Sequence, residues 1–213
     1  MQTSHSERIV EIPADTVQLE SALAVPEQAQ GLVVFAHGSG SSRFSPRNNF
    51  VATVLRRADI ATLLIDLLTR KEDEFYETRF NIDLLTERLL LVTAWLRKQP
   101  QTQKLSIGYF GASTGAAAAL KAAANDTSIQ AIVSRGGRPD LASEDLARVQ
   151  SPTLLIVGGN DRFVLKLNRQ ALAHLQGAKQ LVVIPGATHL FEEPGALEEV
   201  ANQATQWFKR YLP

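Results

Sequence analysis

Ser113 stands between two glycines in Gly111-Ala112-Ser113-Thr114-Gly115, and its flanks give that spacing a chemical meaning. Residues 105–110 are a short apolar run that reads as a strand, and residues 116–124 are an alanine-rich run that reads as a helix. Strand, sharp turn and helix with Gly-x-Ser-x-Gly at the junction make a nucleophile elbow, whose strained backbone lifts the serine Oγ above the sheet. A side chain at 111 or 115 would collide with the neighbouring strand and helix, and the alanines let the helix lie close. The competing reading is a glycine-rich turn whose serine only caps the helix.

A nucleophilic serine needs a base and an acid. Of the four histidines, His5 sits in a polar N-terminal stretch and His174 inside a helical pattern over 164–175, at a surface or helix-end position. His37 ends the apolar run 31–36 and enters Gly38-Ser39-Gly40. His189 follows the run 180–184 in a turn, Pro185-Gly186-Ala187-Thr188, where a loop can carry the imidazole over the serine. His189 is the base. Asp161 ends a buried-type strand and Gly158-Gly159-Asn160, and is the acid. Asp66 is the main rival, Asp140 a weaker one, and a helix N-cap is the plain alternative for Asp161.

The oxyanion needs two backbone N–H donors. Thr114 supplies one, at a helix N-terminus whose dipole favours negative charge. The loop 37–40 supplies the other, through Ser39 with Gly40 as the alternative, while His37 braces that loop through its ring. Arg43, Arg47, Arg135 and Arg138 follow the same strand ends, and could form a positive field suited to a carboxylate or phosphate on the substrate. Arg43 and Arg135 are the expected contacts; the plain alternative is pairing with Asp140, Glu72 or Asp73, or exposure to solvent.

His37-Gly38-Ser39-Gly40, Gly111-x-Ser113-x-Gly115, Gly159-Asn160-Asp161 and Ala187-Thr188-His189 together resemble the dienelactone hydrolase-like group of α/β-hydrolases, over nearly the whole chain. The order serine, acid, histidine is the one that fold uses. The run from His37 through Ser42-Arg43 to Ser45-Pro46-Arg47-Asn48 resembles a bacterial branch whose members can occur fused to phosphoribosyltransferase domains. One departure matters. True dienelactone hydrolases use a cysteine nucleophile and this chain has none, so the resemblance implies a generic ester or thioester hydrolase.

Behind these residues the chain alternates. Residues 8–12 and 16–23 alternate apolar and polar like half-exposed antiparallel strands, whereas the runs at 31–36, 60–66, 105–110, 129–134, 153–158 and 180–185 read as parallel strands covered on both faces. Helical patterns fall at 46–58, 80–98, 115–124, 143–149, 164–175 and 195–211, with Trp95 and Trp207 as core anchors. The expectation is one α/β domain over 1–213: a doubly wound, mostly parallel sheet of about eight strands, helices on both faces and no large lid.

With 213 residues the chain can bury a core without disulfides, and its 22 basic and 22 acidic residues give no net charge to recommend a nucleic acid or anionic membrane. No cysteine and no paired histidines leave no metal site in prospect, and no cofactor is expected. The N-terminal residues lack an apolar signal core and no run approaches the roughly 20 apolar residues of a membrane helix, so a cytoplasmic chain with a small acyl substrate is expected. Acyl transfer or cofactor-free perhydrolysis would use the same triad, and a hydrolase-fold binding protein without turnover is the alternative from another class.

Overall fold

The computed structural model describes residues 7–212, so His5 lies outside the described residues. Eight strands form one sheet: β1 (Arg8–Ala14), β2 (Val17–Ala24), β3 (Gly31–Ala36), β4 (Ala61–Ile65), β5 (Ser106–Ala112), β6 (Ala131–Arg135), β7 (Thr153–Gly158) and β8 (Lys179–Ile184). Their spatial order is β1-β2-β4-β3-β5-β6-β7-β8. β1 pairs antiparallel with β2 and β2 antiparallel with β4, while every later pairing is parallel.

The helices are α1 (Pro46–Arg57), α2 (Arg70–Asp73), α3 (Ile82–Leu96), α4 (Thr114–Asn125), α5 (Arg162–His174) and α6 (Ala196–Tyr211). The period of two in the strands divides the core into two layers. Leu32, Val34 and Ala36 of β3 pack with α3 and α4, while Val33 and Phe35 pack with α1 and α6. That is why β3 and β7 are buried along their whole length and consist of continuous apolar residues. Trp207 is buried in the second layer, and Trp95 is half-buried against the first. His174 is the exposed last residue of α5.

Two expectations are corrected. β8 is an edge strand, covered by a partner on one side only, and Val183 is exposed. The stretch 143–149 is not an α-helix: it follows one 3-10 turn, Pro139–Ala142, and contains a second, Leu146–Arg148. Its backbone N–H groups reach back three residues, Asp145 to Ala142 and Arg148 to Asp145, because a segment this short cannot propagate an α-helix.

Chain order reverses at β3: β4 lies on one side of it and β5 on the other. Such a switch point opens a crevice at the carboxyl ends of the strands. The loops after β3 and β5, which carry Ser39 and Ser113, flank it. The segment between β4 and α3 holds only α2 and a 3-10 turn, Glu77–Phe80, so no large lid covers the crevice. Among the described residues no helix is long and apolar enough to cross a membrane.

Candidate active site

Ser113 has φ 51° and ψ −118°, a left-handed conformation that a non-glycine residue adopts only under constraint. The constraint is visible. Its N–H donates to the Arg135 carbonyl at 3.2 Å, and its own carbonyl accepts from Ala116 N at 3.1 Å and Arg138 N at 3.1 Å. It occupies the N-cap position of α4, yet its side chain makes no capping bond, so the reading of Ser113 as a helix cap fails. The flanking glycines are sterically required. A Cβ at 111 would lie 2.4 Å from Ala116 Cα, and one at 115 would lie 2.2 Å from the Ala36 carbonyl oxygen.

Asp161 and His189 meet across the ends of β7 and β8. His189 Nδ1 and Asp161 Oδ2 are 2.7 Å apart, with the carboxylate side chain 14% exposed and the imidazole 40%. The second carboxylate oxygen accepts from Val164 N at 3.3 Å, so the N-cap reading of Asp161 also holds. One side chain fixes α5 and the imidazole together. Asn160 joins the two loops, its N–H to the Ala187 carbonyl at 2.9 Å and its Nδ2 to the Gly186 carbonyl at 2.8 Å. The rival acids are occupied elsewhere: Asp140 pairs with Arg138, and Asp66 with Arg43.

Ser113, His189, Ser39 and Arg135 line one cavity of about 180 Å³. The Thr114 N–H begins α4, where no intrahelical acceptor exists, and is the first candidate oxyanion donor. Ser39 lines the same cavity, but its N–H donates to Thr114 Oγ1 at 2.9 Å. Gly40, the alternative donor, lines a separate small cleft with Asp73, Arg79 and Leu85 instead. His37 braces the loop as expected. Its Nε2 accepts from Leu67 N–H at 3.1 Å, which leaves the proton on Nδ1 to donate to the Gly38 carbonyl at 3.0 Å. Burial holds its pKa below the ordinary value, against the opposing pull of the Gly38 carbonyl, Asp66 and Asp73.

The arginines divide. Arg43 is corrected as a substrate contact: its side chain is 9% exposed and its guanidinium is committed to Asp66 and Glu20. Its backbone N–H also bonds Asp66, so the pair fastens the loop after β3 to the end of β4. Arg138 is held in a two-bond fork by Asp140. Arg135 does line the cavity, and so does Arg47. Arg135 is 7% exposed, and burial, with repulsion from Arg47 second, pushes its pKa down to about 10. A guanidinium remains charged there at neutral pH.

Sequence reasoning passed over Gly136 and Phe191. Gly136 has φ +53°, and a Cβ there would sit 3.3 Å from His189 Cε1, so a side chain would be strained and would press on the imidazole that the loop after β6 supports. Phe191, at φ 56°, is fully buried with its ring 5.8 Å from the Arg135 guanidinium. Neither carried a local signal; both are defined by neighbours distant in sequence. Among the described residues no group of histidines and carboxylates is arranged to hold a metal ion.

Residues 20–212 match the model of the dienelactone hydrolase family. A dienelactone hydrolase from Anabaena variabilis superposes with a TM-score of 0.96 at 55% identity, covering 98% of this chain and 99% of that one. A serine hydrolase without lid from Xanthomonas campestris gives 0.77 at 22% identity over 98% of this chain and 96% of its own, a likeness of fold alone. In sequence, a Mycobacterium tuberculosis protein named "Putative phosphoribosyl transferase" is 57% identical over 204 residues. That match takes in 95% of this chain but 46% of the relative, so the chain spans about half the length of the curated relatives it matches.

Proposed function

This chain belongs to the dienelactone hydrolase family, and we propose that it cleaves a small carboxylic ester, thioester or lactone through an acyl-enzyme on Ser113. The observation that carries this reading is the 2.7 Å bond from His189 to Asp161, with the same imidazole and Ser113 facing one cavity. Asp161 accepts from Nδ1–H, which leaves Nε2 free to take the Ser113 proton as Oγ attacks the carbonyl carbon. The imidazolium then protonates the leaving group, the acyl group stays on Oγ, and water repeats the sequence in reverse to release the acid.

The negative oxygen would be held by the Thr114 and Ser39 amides. Ser39 must exchange its bond to Thr114 Oγ1 for one to the oxyanion, and the exchange is favourable because charge-assisted bonds are about twice as strong as neutral ones. Until then the threonine hydroxyl keeps the loop after β3 beside the elbow. Serine in place of the family's cysteine argues against inheriting lactone specificity, and a cavity of about 180 Å³ suits short acyl groups. The transferase in the mycobacterial name belongs to chains of which this one spans 46%, and the parts assembled here favour acyl chemistry.

A fluorophosphonate should label Ser113, and Ser113→Ala should lose labelling and lower ester turnover by about 10⁴-fold or more while retaining the fold. Labelling of another serine, or near-normal turnover by the variant, overturns the assignment.

A further inference from the structure

The chain shows two ways of using a buried arginine. Arg43 and Arg88, whose side chains are buried, are each held by carboxylates. Arg135 is not. Among the described residues its Nε is buried without a partner, and its guanidinium meets only the Phe191 ring at 5.8 Å and Asn48 Oδ1 at 3.5 Å, the outer limit of a hydrogen bond. Arg47 lies close enough to repel it and, among the described residues, has a buried Nε with no partner and pairs at 3.1 Å only with Glu192, which is 64% exposed. Two neighbouring guanidiniums with unmet donors, one of them more than nine-tenths buried, are costly unless a ligand completes them. Both line the cavity that contains Ser113 and His189, together with Ser45 and Asn48.

From this we infer that the cavity beside Ser113 is built for an ester whose own compact oxyanion, a carboxylate or a phosphate, is gripped by Arg135 and Arg47. The proposal rests on the hydrolase reading of Ser113 and names its substrate class. The anion must lie close to the scissile bond, because Arg135 ends the strand beside the elbow: it pairs with Ala112, and its carbonyl bonds the Ser113 N–H. A guanidinium presents parallel donors that match two oxygens of either anion.

The test compares the p-nitrophenyl half ester of succinic acid with p-nitrophenyl butyrate, which is similar in length and uncharged. Wild type should favour the half ester. Arg135→Met and Arg47→Ala should each lower that preference, as the ratio of the two kcat/KM values, by about 10- to 100-fold, the worth of a charge-assisted bond. Equal loss on both esters, or a wild-type preference for the butyrate, overturns the inference. Thermal unfolding gives an independent readout: Arg135→Met should keep or raise Tm, because it removes a buried charge that no carboxylate answers among the described residues. A marked fall would make the guanidinium structural and overturn it too.

Binding can be measured without turnover. Ser113→Ala should bind succinate or inorganic phosphate in calorimetry, succinate the tighter for a carboxylate substrate and phosphate for a phosphorylated one. Binding of neither at about 10 mM overturns the proposal. Anion binding with no fluorophosphonate labelling of the wild type keeps the anion site and sinks the hydrolase reading; labelling without anion binding does the reverse.

Discussion

Asp161 carries a structural and a chemical role on one carboxylate, and substitution separates them. Asparagine caps helices as well as aspartate does, so Asp161→Asn should leave α5 and the unfolding midpoint nearly unchanged. Its amide disturbs the imidazole tautomer, and kcat should fall on the order of 10⁴-fold. Asp66→Asn should behave in the opposite way, costing stability through the loss of the Arg43 pair while kcat changes far less. Steady-state kinetics and urea unfolding of both variants decide it, and the reverse ranking would make Asp66 the acid. That Ser113, Asp161 and His189 gather at one edge was legible because each follows the carboxyl end of a strand. Arg43 was not, because a long side chain near a site can turn either way, and only its partners show which.

At the level of elements, the site is a set of loops pinned to one another at the carboxyl ends of β3, β5, β6, β7 and β8. Asn168 of α5 extends this, donating to the Gly137 carbonyl at 3.0 Å beneath the loop after β6. Gly136→Ala tests how tightly that loop is held. It forces a left-handed conformation on an alanine, at roughly 1–2 kcal/mol, and sets its Cβ against the His189 ring. Both stability and kcat should fall, and loss of stability with unchanged kcat would show that the ring position tolerates movement. α2 illustrates a signal that was present but unread: Thr69 and Glu72 form a reciprocal capping box inside what looks like a charged loop.

Across the whole molecule, His37 links the ends of β3 and β4 only while its imidazole is neutral, since Nε2 must accept from Leu67. Its folded pKa lies below the ordinary 6.5, so the unfolded chain gains the proton first as pH drops. The contribution is complete above about pH 6.5, declines below it, and is fully lost once pH has passed through the folded pKa. Denaturant unfolding from pH 7.5 to 5.5 should show this decline in the wild type. His37→Gln, less stable at pH 7.5, should show a shallower one; parallel slopes would assign the pH dependence to other groups.

The amino-acid sequence by itself determined the alternating sheet, the elbow and the order of Ser113, Asp161 and His189 at strand ends, because each depends on local pattern: apolar period, glycine spacing and the residue after a strand. The same locality misled at 143–149, where helical composition lacked the length to propagate. Tertiary structure alone decided that Arg43 is committed to Asp66 while Arg135 and Arg47 line the cavity, that Ser39 is held by Thr114, and that Gly136 lies under the imidazole. Those facts are distances between residues far apart in the chain, and they exist only once the strand ends have been brought to one edge.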